Sequence, residues 1–483
     1  MRGTKMEAVS LMAPELLLAA QTLIVVVMSL FVKGEKQADV MRWIAIAVLV
    51  AFALIGFVLG RPQGTAFNGL LKVDDFGHYA KLIIGLTAAL ALVFTKSYFK
   101  AEKLDRFEFS VLMIYAVLGM SIMVSANNLL ALYIGLELQA LALYIMAAFN
   151  RDSLRSSEAG LKYFVLGALS SGLLLYGTSM IYGFTGHLDF AGIASVIETG
   201  GVNGGLVAGM VFMMCGLAFK ISAAPFHMWT PDVYEGSPTP ITGFFASAPK
   251  FAAMALIARL LFGPLEGMFD QWQQIVAALA LVSMYVGAIG ALSQRNIKRL
   301  MAYSSIANMG YALVPLAAGT VFGLKGMLIF MTIYVISSIG IFAAILQMRI
   351  RNGMVEQISD LSGLSQTNRP MALVLTVFFF SLMGIPPLLG FFGKLFAFWP
   401  AVEAGLWWLV VAALVASVIG AFYYLRVIKT MWFDEPAQDF VESPRSLRWI
   451  TTGSALTLLL LFALPFISIP AQSLLDSAAA ALF

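Results

Sequence analysis

Seven ionisable side chains lie within, or at the edge of, long apolar runs: Glu137, Glu158, Lys162, Lys220, His227, Lys250 and Lys394. A charge in hydrocarbon is costly, so such residues usually handle protons or ions. Glu137 stands inside LLALYIGLELQALALYIMAAF (129–149). It is either a structural acid or a carboxylate whose hold on a proton changes as a cationic partner approaches or withdraws. Lys220 is followed by Pro225, and Lys394 is preceded by Pro386-Pro387. Proline removes a backbone donor and interrupts the helical ladder. In a bilayer such a break is tolerated only where protein or water satisfies the freed groups. A transport site and a kink that shapes packing beside a snorkelling lysine both fit each break alone. Lys250 lies well inside the apolar run that begins after Pro225, Pro231, Pro238 and Pro240 interrupt the chain. His227 is either a proton shuttle near neutral pH or a packed histidine. Glu158 and Lys162, four apart on one helical face, make a local ion pair or feed the buried series. Tyr303, Ser304, Ser305, Tyr311, Thr332, Tyr334, Ser337 and Ser338 are hydroxyls that line a hydrated route between Lys250 and Lys394 or join helices to one another.

The composition narrows the chemistry. Of 483 residues, 60% are hydrophobic and 12% charged, far from the quarter charged of a soluble chain. This is a polytopic membrane protein. One cysteine, Cys215, and three histidines leave no four-thiolate cluster, and no haem held by two buried histidines is expected. No phosphate-binding glycine loop or dinucleotide fingerprint occurs, so no cofactor or metal is expected on the chain itself. The net charge of +4 reflects loop lysines and arginines rather than nucleic-acid binding.

About 20 apolar residues cross a bilayer as helix. That rule predicts an all-α chain with 14 spans, near 11–32, 41–60, 76–95, 107–125, 127–149, 158–183, 205–229, 238–262, 273–293, 299–319, 325–349, 370–400, 405–428 and 447–468. The longest connections, 184–204, 350–369 and 429–446, read as loops, so the whole chain, 1–483, is a single membrane domain. The broken spans are the seventh and twelfth, five apart. Five crossings invert a copy, so spans 4–8 and 9–13 read as inverted five-helix repeats, the arrangement of many transporters. The expected division is a three-helix segment 1–106, a first repeat 107–262, an inverted repeat 273–431 and a C-terminal helix 447–483. Lysine and arginine crowd one set of loops (Lys96, Lys100, Lys103, Arg106, Arg151, Arg155, Arg295, Arg349, Arg351). By the positive-inside rule that side is cytoplasmic and both termini are periplasmic. Lys81, Arg259 and Arg426, nearer span ends, are expected to snorkel.

The segments KISAAPFHMWTPDVYEGSPTPITGFFASAPK (220–250), MAYSSIANMGY (301–311) and LLALYIGLELQALALY (129–144) resemble the antiporter-like membrane subunits of respiratory complex I and of multisubunit cation/proton antiporters. The similarity runs through nearly the whole chain. PDVYEGSPTP, MAPELLLAAQ (12–21) and lysine at 394 narrow it to one subunit type of bacterial NADH:quinone oxidoreductase. The resemblance implies a 14-helix non-redox subunit of that enzyme in the bacterial inner membrane, moving protons with energy from redox chemistry elsewhere. FMN, iron–sulfur clusters and quinone then belong to partner subunits. Its neighbours are a second antiporter-like subunit, small membrane subunits and the lipid bilayer. The family's functional glutamate and three lysines fall on Glu137, Lys220, Lys250 and Lys394, with Glu158, Lys162 and His227 at secondary positions. The expected path runs from a switchable Glu137–Lys220 pair through His227 and water to Lys250 and Lys394. The alternative is a subunit of a multisubunit cation/proton antiporter.

Overall fold

Polar residues that cap the apolar runs set where the helices begin. Asn128, Ser153, Asn203 and Thr320 each accept a hydrogen bond from a backbone N–H two or three residues on, satisfying donors a helix start leaves open. The computed structural model describes residues 10–483 apart from 33, 35, 352, 438 and 460–463. The first nine residues of the N-terminal segment and part of the expected last span therefore lie outside it.

The chain opens with α1 (Ala13–Phe31), α2 (Lys36–Val58) and α3 (Asp75–Ala101). A hairpin of β1 (Gly64–Ala66) and β2 (Leu71–Val73), in the register Gly64 to Val73, joins the last two. Then follow α4 (Glu108–Val124), α5 (Leu129–Ala147) and α6 (Leu154–Thr185). The expected loop at 184–204 instead holds α7 (Phe190–Gly200), capped by Asp189 and ended by Gly201 at positive φ. The seventh span is broken into α8 (Gly204–Ile221) and α9 (Trp229–Gly236). The eighth, expected whole, is also divided, into α10 (Thr239–Phe245) and α11 (Ala248–Leu261). Next come α12 (Phe269–Leu292), α13 (Ile297–Ala317) and α14 (Val321–Ile345). The 350–369 connection carries a short hairpin, β3 (Arg349–Ile350) with β4 (Gly353–Met354). The twelfth span is broken into α15 (Arg369–Met383) and α16 (Leu389–Glu403), and α17 (Trp407–Phe433) follows. Over the expected last span the described residues are α18 (Arg445–Leu459) and, beyond 460–463, α19 (Leu464–Ala480).

Ten of the described helical paths are long and apolar enough to cross a membrane by themselves. The other four expected spans fall short for visible reasons. α4 has 17 residues, α13 is rich in Ser, Asn and Tyr, the twelfth is divided, and the described part of the fourteenth, α18, has 15 residues. The all-α polytopic fold with breaks at helices 7 and 12 stands. Each of those two breaks starts at a left-handed residue, Ser222 or Gly384, and holds a cis X–Pro bond, at Ala224–Pro225 and Pro386–Pro387.

The centre of the molecule is the α10–α11 path, buried along its whole length. α3, α5 and α14 pack against α10. Backbones approach closely where side chains vanish. A Cβ on Gly119 of α4 would lie 2.4 Å from the Gln139 backbone nitrogen of α5, so the helix carrying Glu137 is seated on α4 through glycine.

Two cations expected to snorkel do not. Lys81 is 2% exposed and pairs with buried Glu15 at 2.7 Å. Arg259 is 3% exposed and grips Asp74 with both terminal nitrogens, at 2.7 and 2.9 Å. Each had an acid from a distant segment to meet, and a paired buried charge needs no path to water.

Candidate functional site

Glu137 lies two and a half turns into α5, at the edge of an outward face that exposes Ile134 and Leu141. Its carboxylate accepts a short hydrogen bond from the Ser171 hydroxyl of α6. Lys220, partly buried at the last turn of α8, donates to the Tyr144 hydroxyl at 3.4 Å and sits 5.7 Å from the centre of that ring. Among the described residues no ion pair joins Glu137 to Lys220. A hydroxyl holds each partner, and the pair stands open.

Lys250, 1% exposed in the first turn of α11, reaches back to the break in the seventh span. Its ammonium donates to the Ile221 carbonyl at 3.1 Å and the Ser222 hydroxyl at 2.7 Å, with the Tyr234 ring 5.7 Å away. Ile221 is the last residue of α8. Lys394 repeats the arrangement. Its ammonium donates to the carbonyl of Met383, the last residue of α15, at 2.9 Å and to the Ser417 hydroxyl of α17 at 2.7 Å, over the Tyr311 ring at 4.8 Å. Helix C-termini carry partial negative charge and attract cations. Each broken span thus offers a helix end that a buried lysine occupies. The sequence pairs the break after Lys220 with the one before Lys394. The structure finds both breaks, and the lysine seated at the first is Lys250.

His227 lies in the stretch between α8 and α9, half-buried, and its Nδ1 has no hydrogen-bond partner among the described residues. Part of the hydroxyl set lies between the lysines. Tyr334 donates to Ser305 at 2.7 Å, and Tyr334, Asn308, Ser337 and Lys394 line a cavity of about 10 Å³, room for about one water. The Tyr234 hydroxyl, whose ring lies beside Lys250, approaches Ser305 and Tyr334. Thr332 lies off this line, bonded to Tyr79 and the Leu328 carbonyl. So does Tyr303, packed on Gly290.

Glu158 and Lys162 are not in the buried series. Their side chains are 57% and 43% exposed, paired at 2.8 Å, and Lys162 also meets Asp232 at 3.0 Å. They line a cleft of about 190 Å³ with Arg155 and Glu235. Beside it, Arg299 bridges Asp232 and Glu235 at 2.7 and 3.2 Å. Buried Lys298 pairs with Glu356 at 2.7 Å and donates to the Ser237 carbonyl at 3.0 Å. Burial by itself would raise the Glu356 carboxyl. Lys298, with Asn296 and Arg155 behind it, holds it below the usual carboxylate range. The sequence reading missed this network and the hydroxyls of Tyr144, Ser171, Ser222, Tyr234 and Ser417. Asp232 and Glu235, three apart between prolines, are a signal it passed over. The hydroxyls carry none, being ordinary residues on apolar helices.

The NADH:quinone oxidoreductase/Mrp antiporter transmembrane family matches residues 126–420. NADH-quinone oxidoreductase subunit N of Maricaulis maris is 53% identical over 452 residues, 94% of each chain. A chain of respiratory complex I from Thermus thermophilus with bound aureothin superposes with a TM-score of 0.81 at 31% identity, covering 95% of this chain and 98% of that one. A chain of the Mrp complex from Dietzia sp. superposes with 0.84 at 20% identity, covering 99% and 97%, a likeness of fold alone.

Proposed function

This chain belongs to the NADH:quinone oxidoreductase/Mrp antiporter transmembrane family, on the branch of NADH-quinone oxidoreductase subunit N, and on that premise we propose that Glu137, Lys220, His227, Lys250 and Lys394 carry protons through it. It is an antiporter-like, multi-pass subunit of the membrane arm, assembled with the other membrane-arm subunits of a proton-translocating oxidoreductase. Its role in that enzyme is non-redox. FMN, iron–sulfur clusters and quinone sit in partner subunits. The bilayer is the bacterial inner membrane, with the arginine-rich loops cytoplasmic and both termini periplasmic. We assign 1–106 as an N-terminal three-helix segment, 107–262 and 273–431 as inverted repeats, and 447–483 as a terminal helical segment.

The observation that supports this reading is the repeated seat: a buried lysine on a helix C-terminus at each break. An ammonium there is stabilised by a carbonyl and a hydroxyl, with no carboxylate paired to it among the described residues, so it can give up and regain a proton. The open Glu137–Lys220 pair is the input. When a neighbouring subunit moves Glu137 off Ser171 toward Lys220, the charged lysine gains a counter-ion and holds its proton. When Glu137 returns, Lys220 is left with the Tyr144 hydroxyl and aromatic faces and passes the proton on by way of His227 to Lys250. Tyr234, Ser305, Tyr334 and one water continue the line to Lys394. Glu158 and Lys162, with Asp232, gather protons at the cytoplasmic cleft.

The test is Glu137→Gln and Lys220→Ala in the assembled enzyme, with NADH:quinone turnover and proton pumping both measured. Loss of coupled pumping is expected. Pumping and turnover intact in both variants would make the pair structural. Copurification separates the antiporter alternative, because flavin and iron–sulfur subunits accompany this chain only in the oxidoreductase.

A further inference from the structure

The two lysine seats are not equally enclosed. Lys250 is 1% exposed, in the α10–α11 path that is buried along its whole length. Lys394 is 9% exposed, on a helix that shows one side to the outside. A cavity of about 260 Å³ opens there between α16 and α17. α16 lines it with Phe391, Lys394, Leu395, Phe398, Trp399 and Val402, whose spacing of three and four makes one helical face. Antiparallel α17 supplies Ser417, Leu414 and Val410 in the matching order. The cavity is therefore a slot. It runs from Lys394 and Ser417 at one end to Val402 and Val410 at the other, roughly 12 Å at 1.5 Å per helical residue. Leu395, Trp399, Val402 and Leu414 are 40–52% exposed, so the slot is open sideways, toward lipid, along its length.

The deep end is the Lys394 ammonium. Both groups that hold it, the Met383 carbonyl and the Ser417 hydroxyl, belong to residues that line the slot. Gly384 lines it too, at positive φ, and a Cβ there would lie 3.6 Å from the ammonium nitrogen. Buried Lys81, Arg259 and Lys298 each meet an acid. Lys394 meets none among the described residues, although an ammonium has a third donor to offer. A buried cation without a counter-charge bears its desolvation cost uncompensated. The slot therefore has apolar walls and a positive floor, and its complement is an apolar chain with one anionic head. That head must reach membrane depth, where an ionised group is costly. A phosphodiester stays ionised and is held at the surface. A carboxylic acid can travel neutral and ionise on arrival.

We propose that the α16–α17 slot binds one fatty acid, its carboxylate on the Lys394 ammonium and its chain along the slot. When Lys394 has given up its proton, a neutral acid from the bilayer supplies one. The acid's O–H bond breaks, an N–H bond forms on the amine, and a carboxylate–ammonium pair remains. Binding needs only this geometry. Its consequence rests on the role proposed above for Lys394: the pair keeps the lysine charged and stops the proton path.

The probe is dodecanoic acid with a photoactivatable diazirine near its tail, added to the purified intact oxidoreductase. Labelled peptides are mapped by mass spectrometry. Label is expected on 395–402 and 410–414, above that on the lipid-facing residues of α1. Unlabelled dodecanoic acid should displace it at about tenfold lower concentration than its methyl ester, which keeps the chain and lacks the charge. Lys394→Met should erase that preference. Leu414→Trp puts a larger side chain in the slot and should abolish the label there while α1 stays labelled, an arm that decides the matter even if Lys394→Met does not assemble. Relative to each enzyme's own NADH:quinone turnover, dodecanoic acid should inhibit the unaltered enzyme several-fold more than Leu414→Trp. Label in the slot with equal inhibition of the two would uphold the site and overturn the role of Lys394 in the path. Label no stronger in the slot than on α1, as when a neighbouring subunit covers it, would overturn the site. Equal displacement by acid and ester would overturn its pairing with Lys394.

Discussion

At the scale of single residues, what matters is which partner holds each charge. Lys394 rests on one carbonyl and one hydroxyl. Ser417→Ala should weaken that seat by about 1 kcal/mol and slow coupled turnover several-fold, measured as NADH:quinone activity in sealed vesicles. Ser171→Ala removes the hydroxyl that holds Glu137 away from Lys220. It should favour the closed pair and reduce pumping more than assembly, read as proton uptake against the subunit's abundance. Much of this site was legible in the sequence, because a lysine or glutamate among leucines stands out by cost alone. Its partners were not. Ser222 is remote in the chain from Lys250, and Ser417 from Lys394, and a serine on an apolar helix carries no mark of what it faces. Glu158 and Lys162 show the opposite failure. Their four-residue spacing was readable, but the exposed cleft they share with Asp232 is made by α6 and α9 meeting.

At the scale of elements, the breaks were legible because proline announces them. The divided eighth span was not. Its break falls at Ala246–Ser247, and the signal for it, Pro249 in the first turn of α11, was passed over inside a run that reads as one span. α7 carried its own signals, Asp189 ahead and Gly201 behind, but its glycines read as a loop. The grip of Arg259 on Asp74 ties the start of α3 to the end of α11, the helix that bears Lys250. Arg259→Ala leaves a buried carboxylate with only half-exposed Lys72, at 3.9 Å, opposite it and should destabilise the subunit by about 3 kcal/mol, seen as a lower unfolding temperature. Replacing both partners with apolar residues should recover most of that. Burial pushes the Asp74 carboxyl up, but Arg259, the Gly77 N–H and Lys72 outweigh it and hold it below its ordinary 3.8. The stability from this pair is therefore fully present above pH 3.8 and is lost as pH falls through the depressed folded value. Asp74→Asn should flatten that acid limb of the thermal-unfolding profile. Where α4 meets α5, Gly119→Val would drive a side chain into the Gln139 backbone and should cost about 1–3 kcal/mol, read as lost assembly.

At the scale of the whole molecule, the ten-span count and the family agree on a bundle whose centre is the buried α10–α11 path, with the start of α3 tied to it by the buried Arg259–Asp74 pair and α1 tied to α3 by the buried Lys81–Glu15 pair. Purification should recover this chain with flavin-bearing partners, and detergent that strips those partners should leave it folded, as judged by helical circular dichroism. The lysine seats at the two breaks carry one further consequence. A helix end whose ammonium has given up its proton keeps an amine donor but loses the charge that answers its negative pole. In the proposed cycle each departing proton therefore loosens a tether as well as removing a charge, and each arriving one draws α8 or α15 tight again. The protein would then work as a pair of latches operated by the ion it moves, and its pace would be set by how fast two half-helices can settle rather than by how fast a proton can hop.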